Sequence, residues 1–186
     1  MFPCCQLYVV NCQLLIRGIP FILPGNLLFV MKQPESLELV ARFHRTFKHP
    51  ILPLPAIPDE RRCKLRVELI AEELKELEAS IKEQDIVGVA DALCDIQYVL
   101  SGAVLEFGLG DKFKQLFDEV QRSNMSKACK TEDEARQTVA HYLKKDGTEC
   151  YYVKEGEVWL VYRRSDNKTI KSVGYSPADL ASILGQ

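Results

Sequence analysis

The chain has 186 residues, with 24 Lys+Arg against 26 Asp+Glu and 47% apolar residues, enough for one core of ordinary size with a small appendage. A formal charge of −2 removes the broad basic field of a nucleic-acid binder, and the near balance of signs excludes a disordered acidic tail. The cysteines at 4, 5, 12, 63, 94, 129 and 150 follow no paired C-x-x-C rhythm, so neither a zinc knuckle nor a disulfide framework is legible, and reduced thiols in a cytoplasmic protein are the plain reading.

Residues 1–30 stand apart from the rest, with Arg17 as their only charge among twenty apolar side chains. Pro3, Arg17, Gly18, Pro20, Pro24 and Gly25 interrupt the run, leaving no clean stretch of the ~20 apolar residues that a spanning helix needs. No membrane partner is expected. No basic residue lies between Met1 and Gln13, which argues against a secretory signal. Ordinary sequence begins at Met31, so residues 1–30 are read as a non-native or disordered extension and Met31 as the true initiator.

From Pro34 the chain reads as helices. Pro34 suits a first helical turn, and Leu37, Val40, Ala41, His44 and Phe47 recur at helical spacing before the loop HPILPLPAIP. Asp59 is the candidate N-cap of a second helix running through RRCKLRVELIAEELKELEAS, with Leu65, Leu69, Ile70, Leu77 and Ile81 as its apolar side. Asp85 caps a third, in which Ile86, Val89, Ala90, Leu93, Ile96, Leu100 and Val104 are expected to face a core, with Gly108 and Gly110 near its end. A fourth starts at Asp111 and carries Phe113, Leu116, Phe117 and Val120. Four helices with mostly short connections predict an all-α antiparallel helix bundle over residues 31–127.

Residues 128–186 are expected to form a small C-terminal α+β appendage. Thr131 and Glu134 make a Thr-x-x-Glu capping box for a helix ending at Lys144. Cys150 to Val153 and Val158 to Tyr162 flank a Glu-Gly turn as a β-hairpin. Residues 165–168 turn into a short third strand, and Pro177 opens a terminal helix. Tyr151, Tyr152 and Trp159 are read as structural.

Acids recur on two neighbouring helices: Glu72, Glu73 and Glu76 on the second, Asp91 and Asp95 on the third. The four-residue spacing sets Glu72 with Glu76, and Asp91 with Asp95, on one face of each helix. Glu76 lies as far before the turn at 83–85 as Asp91 lies after it, and Glu72 likewise matches Asp95. In an antiparallel hairpin the two pairs therefore stand at the same two heights. Like charges at this spacing oppose helix formation by ~0.2–0.5 kcal/mol per pair, and burial worsens the opposition. A hard divalent cation relieves it, because Mg²⁺ takes carboxylate and water oxygens and bridges to phosphate. Glu-rich helices ordinarily present such acids as a solvated face. Asp91 and Asp95 are set among Val89, Ala90, Leu93, Ile96 and Val99, where an acid is least expected.

The run from Glu68 to Leu77 resembles the EExxE motif of the all-α nucleoside triphosphate pyrophosphohydrolases, the superfamily of MazG, dimeric dUTPases and phosphoribosyl-ATP pyrophosphohydrolases. The segment from Asp91 to Gly102 resembles its second acidic motif. Phe43 with His44, and Ser-Asn-Met-Ser-Lys at 123–127, place the chain closest to the phosphoribosyl-ATP pyrophosphohydrolase-like proteins, and Tyr-Ser-Pro-Ala-Asp-Leu at 175–180 is similar to their ending. The second motif is usually Glu-x-x-Asp, whereas this chain has Ala92 at the Glu position and Asp91 one place earlier. Either Asp91 substitutes as a ligand through a small helix rotation, or the site has one protein ligand fewer.

The resemblance implies a MazG-like bundle that hydrolyses a nucleoside triphosphate between its α and β phosphates, giving the monophosphate and pyrophosphate. It also implies Mg²⁺, with Mn²⁺ as a substitute, a role in nucleotide-pool cleaning, and a homodimer or homotetramer whose pocket is completed by a partner chain. Glu72, Glu76, Asp95 and Asp91 are then metal ligands. Glu73, turned ~100° around the helix, holds a second ion or acts as base on the attacking water. Lys127 and Asn124, assisted by Arg122, become phosphate and nucleotide contacts. By itself, a Lys past a helix end is ordinarily a solvated charge. His44, with Phe43 and Phe47, is assigned to the nucleoside pocket.

Three other readings compete. One is a phosphoribosyl-ATP pyrophosphohydrolase of histidine biosynthesis. Another, a non-catalytic helical dimerisation module, explains the apolar stripes but not the acids of the third helix. A di-iron bundle needs Glu-x-x-His motifs, and none of His44, His49 or His141 follows a Glu by three places.

Overall fold

The computed structural model describes residues 34–186, so the reading of residues 1–30 as an extension lies outside the described residues. In chain order the elements are α1 (Ser36–Phe47), α2 (Glu60–Glu83), α3 (Ile86–Glu106), α4 (Phe113–Met125), α5 (Glu132–Asp146), β1 (Cys150–Glu155), β2 (Val158–Arg163) and α6 (Leu180–Leu184). The chain is mostly helical with one small antiparallel sheet, as expected, and divides into two units. One comprises residues 34–124 with Pro177–Gln186; the other is Met125–Ser176.

Local chemistry sets the helix starts in the first unit. The Asp59 carboxylate accepts from Arg62 N at 3.0 Å, and that of Asp85 from Val87 N at 3.0 Å; each satisfies a donor that the first turn would leave orphaned. Gln84, left-handed at φ 57°, separates α2 from α3 and folds them into an antiparallel hairpin. α1 begins at Ser36, two residues after Pro34, and packs on α3. α4 begins at Phe113 rather than Asp111.

The loop after α1 runs back along the end of α3, where Leu52 N donates to the Leu105 carbonyl and Ala56 N to that of Phe107, both at 3.1 Å. Gly108 is indispensable there. Its φ is +66°, and a Cβ would lie 1.9 Å from the Leu54 carbonyl oxygen.

α3 meets its neighbours through a different face from the one its periodicity suggests. Of the residues expected to face the core only Val104 is buried, whereas Ile86 is 76% and Leu93 52% exposed. The buried positions are Ala92, Ser101, Gly102, Val104, Leu105 and Glu106. The cause is close approach. A Cβ on Gly88 would sit 2.6 Å from Ser80 Oγ, and one on Gly102 2.7 Å from Arg66 Nη1, so α2 seats against the small residues of a helix that is apolar nearly all round. Among the described residues α3 is also long and apolar enough, by length and composition, to cross a membrane.

At the far end of the hairpin Glu106, 1% exposed, accepts from Arg62 Nε at 2.9 Å and also from Arg62 Nη2 and Arg66 Nη2. Beside it Val40, Ala41 and Leu105 form an apolar core. Asp179 caps α6 by accepting from Ser182 N at 3.1 Å, so the terminal helix starts at Leu180 and Pro177 lies outside it. The Asp179 N–H donates to Glu119 at 2.9 Å and Lys112 Nζ to the Ile183 carbonyl at 2.6 Å, which ties the terminal segment to α4 and the turn before it.

In the second unit α5 packs on the β1–β2 hairpin around Cys129, Ala135, Cys150, Val161 and Ile170, with Tyr152 and Trp159 at the edge of that core. Thr131 Oγ1 accepts from Glu134 N at 3.1 Å. The returning bond runs from Lys130 N to Glu134 at 2.9 Å, one residue before the N-cap. The third strand expected after residues 165–168 is only an isolated bridge between Tyr162 and Thr169, after a turn in which Asn167 is left-handed at φ 55°. Cys63, Cys94, Cys129 and Cys150 are free thiols.

Candidate active site

The contacts between α2 and α3 define which residues stand level. Ser80 approaches Gly88, Arg66 approaches Gly102 and Arg62 binds Glu106. Each pair is centred on Gln84. Glu73 and Asp95, eleven residues either side of the same centre, therefore face one another. The sequence pairing of Glu72 with Asp95 is shifted by one place on α2, because the hairpin is centred on Gln84, twelve residues from Glu72 and eleven from Asp95.

Both members of the facing pair are half-buried, whereas Glu72, Glu76 and Asp91 are exposed. Burial first, then the charges of Asp95, Glu76, Glu72 and Asp91, push the Glu73 carboxyl above its ordinary value. Four acids from two helices thus act on a fifth. Other acids of α2 are neutralised locally, with Lys64 beside Glu68 and Lys82 beside Glu78. Among the described residues no salt bridge relieves the five.

Helical geometry divides the hairpin into two faces. Seen down α2, Glu72 and Glu76 lie to one side of the Arg66–Glu73–Ser80 line that meets α3, and Val67, Leu74 and Ile81 lie ~100° to the other. On α3, Asp91, Asp95 and Tyr98 share one side, and Ile86, Leu93 and Leu100 lie roughly opposite. The acids occupy one face and apolar residues at seven-residue intervals the other.

α1 closes part of the acidic face. His44, assigned to the nucleoside pocket from its motif, is instead buried at 2% exposure, where its Nδ1 donates to the Pro50 carbonyl at 2.9 Å. Burial lowers its pKa. Phe43, one residue earlier and so ~100° around the helix, reaches the surface and meets the Tyr98 ring edge-on at 5.6 Å. Tyr98 and Arg66 are the site-proximal residues that motif reading passed over. The first is signalled by its i, i+3 spacing from Asp95, the second by its placement opposite Gly102 and its bond to Glu106.

Arg122 and Asn124 lie on exposed positions of α4, and the Arg122 guanidinium donates to Glu119 and to the Pro177 carbonyl. Lys127 belongs to the second unit, where its carbonyl accepts from Ser172 N at 3.2 Å. A cavity of about 400 Å³ among the described residues lies between α1 and the end of α3, lined by Leu37, Ala41, Ile51 and Leu105, and contains none of the five acids.

The donor set suits a hard divalent cation: all oxygen, excess negative charge and, among the described residues, no salt-bridged cation to satisfy it. Among the described residues no three acidic, histidine or cysteine side chains already form a ligand cage.

A family model described as phosphoribosyl-ATP pyrophosphohydrolase matches residues 40–124, the span from α1 to the end of α4 that carries all five acids. The chain is also 31% identical, over an alignment 243 positions long, to the Uncharacterized protein L479 of Acanthamoeba polyphaga mimivirus, an alignment covering 82% of this chain and 97% of that relative.

Proposed function

The chain belongs to the phosphoribosyl-ATP pyrophosphohydrolase family, within the MazG-like nucleoside triphosphate pyrophosphohydrolases, and from that premise we propose that it cleaves the α–β phosphoanhydride of a nucleoside triphosphate in a Mg²⁺-dependent reaction. The family supports a nucleotide pyrophosphohydrolase-type activity and its members generally use Mg²⁺. The observation that carries the finer reading is the crowding of Glu72, Glu76, Asp91 and Asp95 about Glu73, with no salt bridge to these acids among the described residues.

Glu72, Glu76 and Asp95 would hold Mg²⁺ or Mn²⁺, with Asp91 as the fourth oxygen donor in place of the Glu that Ala92 lacks. When bound, the ion neutralises phosphate charge and acidifies water. Glu73, level with Asp95, would take the proton as water adds to phosphorus and the bridging oxygen departs with pyrophosphate. Arg122 and Asn124 would supply cationic and amide contacts to the nucleotide.

The apolar heptad of Val67, Leu74 and Ile81 with Ile86, Leu93 and Leu100, on the face away from the acids, is the proposed seat of a second copy in a homodimer or homotetramer. The protein is proposed to act in the cytoplasm on the nucleotide pool, with no nucleic-acid or membrane partner.

The name of the matching family, phosphoribosyl-ATP pyrophosphohydrolase, favours a second substrate, phosphoribosyl-ATP. A panel of deoxy- and ribonucleoside triphosphates with phosphoribosyl-ATP, in Mg²⁺ and in Mn²⁺, separates the two by product. Nucleoside monophosphate with pyrophosphate is expected. Turnover of phosphoribosyl-ATP alone would move the assignment to histidine biosynthesis, and no turnover of any would leave a dimerisation module.

A further inference from the structure

The α2–α3 hairpin has a closed end, tied by the turn at Gln84, and an open end where the two helices would otherwise be free to part. Between the ends lies the facing pair of Glu73 and Asp95, whose like charges repel. A clasp of three side chains opposes that repulsion at the open end. Arg62 and Arg66 both donate to the buried Glu106 carboxylate. Arg66 is the inner member, seven residues from Glu73 on the same side of α2, a rise of about 10 Å. Its guanidinium is pressed on Gly102, seven residues beyond Asp95 on α3. A Cβ on that glycine would lie 2.7 Å from Arg66 Nη1 and 3.1 Å from His44 Nε2, so α1 backs the clasp.

We propose that Arg66 is a positioning residue of the acid site, which touches neither ion nor substrate and holds Glu73 level with Asp95 by fixing the alignment of α2 on α3; the inference rests on the reading of the acids as a metal centre. α3 is apolar nearly all round, so apolar burial alone does not select one alignment. A buried ion pair does, because turning or sliding either helix leaves the Glu106 carboxylate or a guanidinium dry and unpaired. Stability alone does not call for an arginine here. An apolar side chain of similar volume often packs as well as a buried ion pair, and the Arg66 Nε is buried without a partner among the described residues, a feature that disfavours the fold. Arg62, 23% exposed against 9% for Arg66, holds the same carboxylate from the rim and leaves Arg66 as the member seated against α3.

Mn²⁺ binding to the full chain, without substrate, is followed by EPR of the free ion, with circular dichroism of the same samples reporting the folded fraction. Arg66→Met keeps the bond between Arg62 and Glu106. It is expected to weaken Mn²⁺ binding about 10- to 100-fold in samples that remain folded, the range for loss of a group that orients metal ligands. Charge alone predicts the opposite sign, since removing a cation about 10 Å away favours the binding of another. Gly102→Ala changes no charge, displaces the guanidinium through its added methyl group and should weaken binding in the same sense, so it carries the test if Arg66→Met fails to fold. Mn²⁺ affinity unchanged or tightened in the folded variants, or weakened only in proportion to the unfolded fraction, would overturn the positioning role and leave the hydrolytic reading standing on its own assay. A wild type that binds no Mn²⁺ would remove both. Weakened binding in the variants, with no pyrophosphate release from any triphosphate by the wild type, would remove the hydrolytic reading and leave the positioning role in place.

Discussion

Glu73 on α2 and Asp95 on α3 face one another across the hairpin, each eleven residues from Gln84, and Asp95 is the strongest of the neighbouring charges that raise the Glu73 pKa. Two half-buried carboxylates in opposition weaken the protein that carries them unless something outside the chain compensates.

Removing one of these acids should therefore separate activity from stability. Glu73→Gln is expected to lower pyrophosphate release by about 10²–10⁴-fold, the range for loss of a general base, and to stabilise the ion-free fold by about 0.2–0.5 kcal/mol per relieved repulsion. Alanine at Glu72, Glu76 or Asp95 should likewise abolish Mg²⁺-dependent release. Steady-state kinetics and urea denaturation in EDTA read the two effects; a variant that unfolds would assign the acid a structural part instead.

Divalent ion should raise stability by mass action. At a Mg²⁺ or Mn²⁺ concentration 100 times Kd the gain is about 2.7 kcal/mol, visible as an upward shift in Tm. Asp95→Asn should lose that shift. A wild-type Tm indifferent to both ions at millimolar concentration would count against a metal centre.

The Glu106 carboxylate holds two guanidinium groups in a nearly dry environment, Arg66 among them with a buried Nε that has no partner among the described residues. Glu106→Gln leaves those charges uncompensated and should destabilise the fold by about 3–5 kcal/mol. Arg62, more exposed than Arg66, should be the milder site when changed to Met. Chemical denaturation of the variants gives the ordering directly.

Acid should weaken the protein below neutrality through His44. Its folded pKa is lowered from 6.5, chiefly by burial, with Arg66 and His49 acting in the same sense and the Pro50 carbonyl and Glu106 opposing. The unfolded chain therefore binds the proton more readily, so the His44 contribution is complete above the unfolded pKa and declines as pH falls through 6.5. Glu106, held below its ordinary value by Arg66 and Arg62 despite burial, adds a loss at lower pH. Tm measured from pH 8 to 5 should fall, and His44→Gln should flatten the upper part of that decline.

Charge placed on the apolar face should dissociate the assembly. Light scattering is expected to find a dimer or tetramer for the wild type and a monomer for Leu74→Glu combined with Leu93→Glu, both more than half exposed in the single chain. A monomeric wild type at micromolar concentration would remove the proposed partner.

Much of the helical framework was legible because its signals are local. Asp59 and Asp85 cap the helices they were expected to cap, since an N-cap needs only a short acceptor and the next turn's free N–H groups. The common height of the acids followed from counting away from one turn, and only the one-residue pairing shifted. The buried face of α3 was not legible. A helix apolar nearly all round offers no periodicity to choose by, and the choice fell to Gly88 and Gly102, where the backbones approach. Phe43 and His44 were equally ambiguous: adjacent residues differ by ~100° around the helix, and which of them turns inward depends on Arg66 and Glu106, twenty-two or more residues away in sequence.

From the amino-acid order alone came the helices, their caps, the single hairpin and the gathering of acids, because each depends on groups within a few turns of one another. Tertiary structure alone decided that Glu73 rather than Glu72 opposes Asp95, that His44 is interior while Phe43 is outside, and that the apolar heptads face away from the acids. Burial and electrostatic fields belong to whatever packs alongside, and a side chain acquires them only when a distant segment arrives.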